Sequence, residues 1–122
     1  MIRSVLIVDD SRLARMMVAG LIAERWPTAR MREAESAEQA LVAVAQEAPD
    51  LIILDQSMPG EAGLDAVERL RASAPRAQIA LVTANIQNAT RRRAADAGCH
   101  FVAKPVTAEK IDRLLADLGA GA

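Results

Sequence analysis

Val5-Leu6-Ile7-Val8-Asp9-Asp10-Ser11 is an unbroken aliphatic run that stops on two acids. Four consecutive apolar residues, two of them valines, describe a strand buried on both faces, the usual state of a strand inside a parallel sheet. The pattern recurs. Leu51 to Leu54 ends on Asp55, Ile79 to Val82 on Thr83-Ala84, and Phe101 to Ala103 on Lys104-Pro105. Arg30 to Glu33 is a weaker, more polar strand, expected near an edge. Helical patterns fill the intervals. Ser11 opens a helix to about Arg25, with Leu13, Met16, Met17, Leu21 and Ile22 as its apolar face and Trp26-Pro27 as its stop. Ser36 with Gln39 forms a capping box for a helix through about Glu47. Leu64, Val67 and Leu70 share one side of a helix to about Arg71. A fourth helix runs from about Ile86 to Ala97, with Gly98 just past its end. The last, Thr107 to Leu118, carries Ile111, Leu114, Leu115 and Leu118 on one face. Strict βα alternation in five units of about 23 residues predicts an α/β fold: a (βα)5 doubly wound parallel five-stranded sheet with right-handed crossovers.

Composition narrows the function classes. The 122 residues include 15 basic and 16 acidic side chains, a formal net charge of −1. That balance argues against a general nucleic-acid binder, which is usually strongly basic. A single cysteine, Cys99, rules out an internal disulfide framework and fits a reducing compartment. The N-terminal apolar run is too short and too soon acidic for a signal peptide, and nothing approaches the roughly 18 apolar residues of a membrane span. A cytoplasmic single domain over residues 1–122, without membrane insertion, is expected. Alanine supplies 26 residues, while Tyr is absent and Phe and Trp occur once each. The core must therefore be aliphatic, with close helix contacts made by Ala.

Ligand sites in open parallel sheets form beyond the carboxyl ends of the strands. Asp9-Asp10, Asp55, Thr83 and Lys104 each follow a strand, and strand order 2-1-3-4-5 would make them converge. Only the second strand offers nothing comparable. Three close carboxylates repel one another until a proton or a cation relieves them. An all-oxygen set suits a hard divalent ion such as Mg²⁺, which keeps several waters. Lys104 would add a point positive charge and Thr83 a hydroxyl, together able to hold a phosphoryl group. An Asp carboxylate can itself act as nucleophile and form an aspartyl phosphate, and Asp55 stands at an open strand end. Taken singly, each residue has a plainer reading. Asp9-Asp10 can cap the first helix, and Asp55 and Thr83 can be ordinary structural residues.

Val-Leu-Ile-Val-Asp9-Asp10-Ser11, Leu-Ile-Ile-Leu-Asp55-Gln-Ser-Met58-Pro59 with Gly63, Leu-Val-Thr83-Ala84 and Val-Ala-Lys104-Pro105 resemble the receiver domain of two-component response regulators over about residues 3 to 118. The resemblance implies a flavodoxin-like fold with strand order 2-1-3-4-5. The chain resembles the stand-alone, chemotaxis-type members with no output domain. By resemblance, Asp55 is the phosphoacceptor in phosphorelay signal transduction. Asp10, Asp55 and the Ser57 main-chain carbonyl ligate Mg²⁺, and Asp9 acts mainly through a metal-bound water. Lys104 contacts the phosphoryl group, Thr83 and Phe101 form the switch, and Pro105 follows Lys104 through a cis bond. Ser57 and Asn85 stand where the family tunes phosphoryl lifetime. The donor is a sensor histidine kinase or a histidine phosphotransfer protein. A downstream protein target binds the face built from the fourth helix, fifth strand and fifth helix. Such a chain is a signalling phospho-acceptor that assists only its own phosphorylation and dephosphorylation, not an enzyme.

Some positions depart from the family pattern. Phe101 lacks the hydroxyl of the commoner Tyr, so any switching rests on packing; half-burial on an edge strand would equally explain it. Ala62 replaces a frequent acid. Arg91-Arg92-Arg93 reads as a solvated helix face or as a dock for an acidic partner. Met16 and Met17 read as core or helix-face filler, and Cys99-His100 is too small a set for a metal site. A haloacid-dehalogenase-like phosphatase would place its nucleophile in an Asp-x-Asp motif after the first strand, which Asp9-Asp10-Ser11 does not provide. A flavodoxin-like cofactor binder would carry a Ser/Thr/Gly-rich loop where the two acids stand. A receiver-like scaffold that never turns over phosphate is opposed by the intact acid set.

Overall fold

The computed structural model describes residues 2–120. Five strands and five helices alternate: β1 Ser4–Val8, α1 Arg12–Arg25, β2 Arg30–Ala34, α2 Ala37–Gln46, β3 Leu51–Asp55, α3 Gly63–Ser73, β4 Gln78–Thr83, α4 Asn88–Asp96, β5 His100–Ala103 and α5 Ala108–Ala120. The sheet order is β2-β1-β3-β4-β5, all parallel, as the alternation and the resemblance required. β1 and β3 are buried along their whole length, which is why their sequences read as continuous apolar runs. Alternate side chains serve two cores. Leu6, Val8, Ile52, Leu54, Ile79 and Leu81 pack under α2, α3 and α4. Val5, Ile7, Ile53, Ala80, Val82 and Val102 pack under α1 and α5.

Local chemistry sets the element ends. Ser36 Oγ accepts from the Gln39 N–H, and Gln39 Oε1 accepts from the Glu35 N–H, one residue earlier than the capping box requires. Gly98 ends α4 at φ 72°. Its N–H donates to Ala95 O, and the Cys99 N–H to Ala94 O, the paired bonds of a Schellman turn. α4 begins at Asn88, two residues later than its periodicity indicates, and Ile86 is exposed in the loop before it.

The expected apolar face of α1 needs correction. The buried stripe is Arg15, Val18 and Ile22, while Leu13 is exposed and Met16 and Met17 are each 58% exposed. Apolar residues are frequent enough on α1 that periodicity allowed two faces. The polar Arg15 masked the true one.

Register brings the strand ends together. Val8 pairs with Leu54, so Asp9 and Asp55 stand level; Asp55 pairs with Val82 and Thr83 with Ala103, which leads on to Lys104. Behind Asp55, α3 approaches the sheet closely. A Cβ on Gly63 would fall inside contact distance of the Asp55 carbonyl and 3.0 Å from Leu54 Cγ. Gly20, within α1, has open space around its missing side chain.

The two glycines should therefore respond oppositely to alanine. Helix propensity favours Ala by about 0.5–1 kcal/mol, and Gly20→Ala should be stabilised by about that amount. At Gly63 an overpacking cost of about 1–3 kcal/mol outweighs propensity, so Gly63→Ala should be destabilised. Urea unfolding midpoints of the two variants measure the difference in sign.

Candidate functional site

The carboxyl edge of β1, β3, β4 and β5 carries Asp9, Asp10, Asp55, Thr83 and Lys104, the residues that the sequence singles out for metal and phosphoryl chemistry. Asp55, the last residue of β3, is 2% exposed, and Asp9 is also buried, while Asp10 faces solvent. Each of the three acids offers a carboxylate oxygen within 4.8 Å of the others. Lys104 Nζ lies 3.1 Å from Asp55 Oδ1 and 3.9 Å from Asp9 Oδ2. Two like charges about 5 Å apart repel by roughly 3 kcal/mol at an effective dielectric of about 20. Three acids make three such repulsions, and one ammonium cannot balance them.

Burial raises the Asp9 carboxyl above its ordinary value. The charges of Asp55 and Asp10 push the same way, against the Ser11 N–H bond and Lys104. A hard divalent cation fits this donor set: the ligands are all oxygen, charge is in excess, and the exposed Asp10 side leaves room for waters.

The loops around the acids are fastened by short polar contacts. Asp9 Oδ1 accepts from the Ser11 N–H at 2.9 Å, and Ser11 Oγ accepts from the Ala14 N–H at 3.2 Å. Ser11, rather than either acid, is the N-cap of α1. That removes the capping explanation for Asp10. Asp55 Oδ1 also faces the Ser57 N–H at 3.4 Å. Gln56 fastens the start of α3: its Oε1 accepts from Leu64 N–H at 2.7 Å, and its carbonyl from Gly63 N–H. This supplies the cap that Ala62 lacks.

Thr83 is buried, and its Oγ1 accepts from the Asn85 N–H at 3.0 Å. The Lys104–Pro105 bond is cis. Lys110, on α5, donates to the carbonyls of Ala103 and Pro105 at 2.9 and 3.0 Å and so brackets Lys104. Phe101 is half-buried on β5, with the Arg91 guanidinium 4.6 Å above its ring centroid. Arg91 Nε also donates to the Ile86 carbonyl at 3.2 Å. Arg91 is thus a contact of Phe101 rather than only a solvated charge. His100 pairs with Gln78 at 3.2 Å.

Two residues behind the acids escaped sequence reasoning. Arg15 and Glu33 form a 2.7 Å ion pair, and Arg15 Nη1 donates to the Asp9 carbonyl. The second strand, which offered nothing at its end, thus reaches the site through Glu33. The available signal was a lone Arg in the 15/18/22 stripe of an otherwise apolar helix face.

Because the folded Asp9 holds its proton more tightly than the unfolded chain does, its charge opposes folding above the carboxylate range. Asp9→Asn should stabilise the metal-free protein at neutral pH by about 0.5–2 kcal/mol. The gain should shrink as pH falls through the raised value and vanish below about pH 3.9, where the unfolded side chain is protonated too. Urea unfolding in chelator across that range measures it, and added Mg²⁺ should narrow the gap by stabilising the wild type.

The chain matches the family described as the response regulator receiver domain over residues 5–116. It is 30% identical over 112 residues to the chemotaxis protein CheY of Bacillus subtilis, covering 91% of this chain and 92% of that one. It is 35% identical to the transcriptional activator protein ExaE of Pseudomonas putida, covering 92% of this chain but 55% of that protein. The chain thus spans about half the length of several curated relatives it matches, among them the Bacillus subtilis sensory transduction protein LytT, at 46%. Among solved structures, a LuxR-family two-component response regulator from Aurantimonas sp. superposes with a TM-score of 0.87 at 27% identity, over 99% of this chain and 87% of that one. The Vibrio cholerae chemotaxis protein CheY4 superposes at 0.84 with 23% identity, over 96% and 98%, and shares the fold. No helix among the described residues is long and apolar enough to cross a membrane. Family match, strand order and the gathered acids agree: this chain belongs to the response regulator receiver domains, the signalling modules of two-component systems that take phosphoryl groups from kinases.

Proposed function

We propose that Asp55 is the phosphoacceptor of this chain. The observation that carries the reading is a nearly inaccessible carboxylate, 3.1 Å from an ammonium and within 4.8 Å of two further acids, at the open end of a central strand. Asp10, Asp55 and the Ser57 main-chain carbonyl would hold Mg²⁺, with Asp9 acting mainly through a bound water. When bound, the ion neutralises charge on the carboxylates and on the incoming phosphoryl oxygens. A carboxylate oxygen of Asp55 attacks the phosphorus of a phosphohistidine on a sensor histidine kinase or a histidine phosphotransfer protein. The new P–O bond replaces the P–N bond, and the imidazole leaves with the electron pair and takes a proton from solvent. Lys104 moves from Asp55 to the phosphoryl oxygens. The chain assists this transfer and the later hydrolysis of its own acyl phosphate, and acts on no other substrate.

A donor needs access beside Asp55. An apolar groove of about 190 Å³, lined by Ala14, Met17, Leu21, Pro105 and Val106, opens next to Asp9, Asp55 and Lys104. Met17, in that lining, is itself exposed, and Leu13 and Met16 on the same helix are exposed too. The groove would give a helical donor an apolar seat.

The readout would use Thr83 and Phe101. A phosphoryl group adds about −1.5 to −2 charges and three acceptor oxygens. Thr83 turns its hydroxyl from the Asn85 N–H to that group, which vacates space beside β5 for the Phe101 ring. Inward rotation takes the ring from under Arg91 and repacks a groove of about 220 Å³ among Arg91, His100, Phe101, Lys110 and Arg113. The α4-β5-α5 face then offers a downstream protein a changed, largely cationic surface. The phosphoryl group must favour that arrangement over the unphosphorylated one for any shift to occur.

Incubation with Mg²⁺ and acetyl phosphate should add one acid-stable, base-labile phosphate to the wild type and none to Asp55→Asn. Equal labelling of the variant, seen by intact mass, overturns the assignment. Phe101→Ala should label normally, yet lose most of the phosphorylation-dependent gain in binding to a partner recovered with the wild type. An unchanged gain in a binding isotherm would make Phe101 a packing residue only.

A further inference from the structure

Arg15 is the one charged side chain in the buried stripe of α1, and the phosphoryl chemistry leaves it without a task. Its side chain is 8% exposed, whereas that of Glu33 is 48% exposed. Nη1 donates to the Asp9 carbonyl at 2.7 Å, Nε donates to Glu33 Oε1 at 2.7 Å, and Nη2 lies 3.9 Å from Glu35 Oε1. The other polar groups of Asp9 are also held. Its N–H donates to Ala34 O on β2 at 3.1 Å, and its Oδ1 accepts from Ser11.

The Asp9 carbonyl belongs to the peptide unit that joins the two adjacent acids. A peptide is planar, so fixing that oxygen fixes the direction in which the chain leaves for Asp10. Asp10 is exposed and takes its orientation from the plane behind it. Glu33 keeps the guanidinium turned between α1 and β2, where it meets the carbonyl instead of swinging toward the carboxylates.

We infer that Arg15, braced by Glu33, is a positioning residue that holds Asp9 and Asp10 in the arrangement that binds a divalent cation. The inference rests on reading Asp9, Asp10 and Asp55 as the metal acids. It makes a prediction opposite in sign to simple electrostatics. A guanidinium beside a cation site opposes Mg²⁺, so removal of its charge alone would tighten binding. Loss of a positioning partner weakens binding, typically by about 10- to 100-fold at metal sites.

The test is titration of the full chain with Mg²⁺ alone, followed through the amide resonances of residues 9–11, 55–58 and 104. Arg15→Met should raise the midpoint about 10-fold. Arg15→Lys should raise it less, because one ammonium can meet the carbonyl or Glu33 but cannot span both as the planar fork does. Glu33→Gln keeps an acceptor for Nε and should stay within about threefold of wild type. At saturating Mg²⁺ the Arg15→Met rate with acetyl phosphate should return close to wild type, so that the half-saturating concentration changes and the maximal rate does not. A folded Arg15→Met whose midpoint rises by less than about fivefold, or falls, overturns the inference. Should Arg15→Met fail to fold, an unchanged midpoint in Arg15→Lys overturns it equally. A wild type that shows no Mg²⁺ response at these residues overturns the metal reading itself, and this inference with it.

Discussion

Three carboxylates share one edge of the sheet with a single ammonium among them, and most of the surrounding structure serves to keep them there. Like charges within 4.8 Å would drift apart on flexible loops. Here two of the three are buried at the ends of strands that are themselves buried on both faces. The sheet supplies the rigidity, and the register supplies the convergence. On the proposed reading, what the arrangement costs in the resting state would become affinity for a cation and for the doubly charged group that the cation would help to admit. A site so arranged responds to ligands because its free form is unsatisfied.

That tension explains why the fastening lies mostly on main-chain atoms. Ser11, Ser57 and Asn85 each offer an N–H to a side-chain oxygen of Asp9, Asp55 and Thr83. In each case the contact spans two residues, so each chemical side chain is held by the loop that follows its own strand. Gly63 contributes by absence: with no Cβ, the first turn of α3 rests against the Asp55 carbonyl. A side chain there would push on the backbone that carries the Asp55 carboxylate.

The fold was legible because its strands violate alternation. Runs such as Leu51 to Leu54 can be explained only by burial on both sides, and the acids that end them announce the edge at which they finish. The candidate site residues were legible for the same reason: Asp9, Asp55, Thr83 and Lys104 each stand one step past an apolar run, and Asp10 two. The face of α1 was not. Leu13, Met16 and Met17 are apolar but exposed, while Arg15 is charged but buried. Hydrophobic periodicity assumes that burial and polarity exclude each other, and that assumption fails where a guanidinium finds a carboxylate and a carbonyl inside. Glu33 was hidden for a related reason, since its part depends on a partner 18 residues away. The sequence offers Arg91 only a solvated face or an acidic docking partner, because its contact with Phe101 crosses from α4 to β5.

The division between the two kinds of cation follows from these geometries. Of 15 basic residues, 13 are Arg and two are Lys. Several of the arginines act as brackets between elements. Arg15 joins Glu33 to the Asp9 carbonyl, Arg25 joins Asp112 to the Leu21 carbonyl, Arg32 reaches the carbonyls of Ala43 and Glu47, and Arg71 meets the Gly98 carbonyl. A planar fork with several fixed donors suits that work, because it satisfies two acceptors without moving. The two lysines sit on either side of the β5-α5 loop, one toward the acids and one holding the carbonyls of Ala103 and Pro105. At Lys104 the requirement is different. On the proposed reading, Lys104 faces the Asp55 and Asp9 carboxylates in one state and would face phosphoryl oxygens in the other, so it would have to change partners without rebuilding its surroundings. A compact ammonium on a flexible stem does so, whereas a guanidinium would fix one pair of oxygens and resist the exchange. On that reading, a flexible ammonium stands at the one place where the proposed chemistry would call for an exchange of partners.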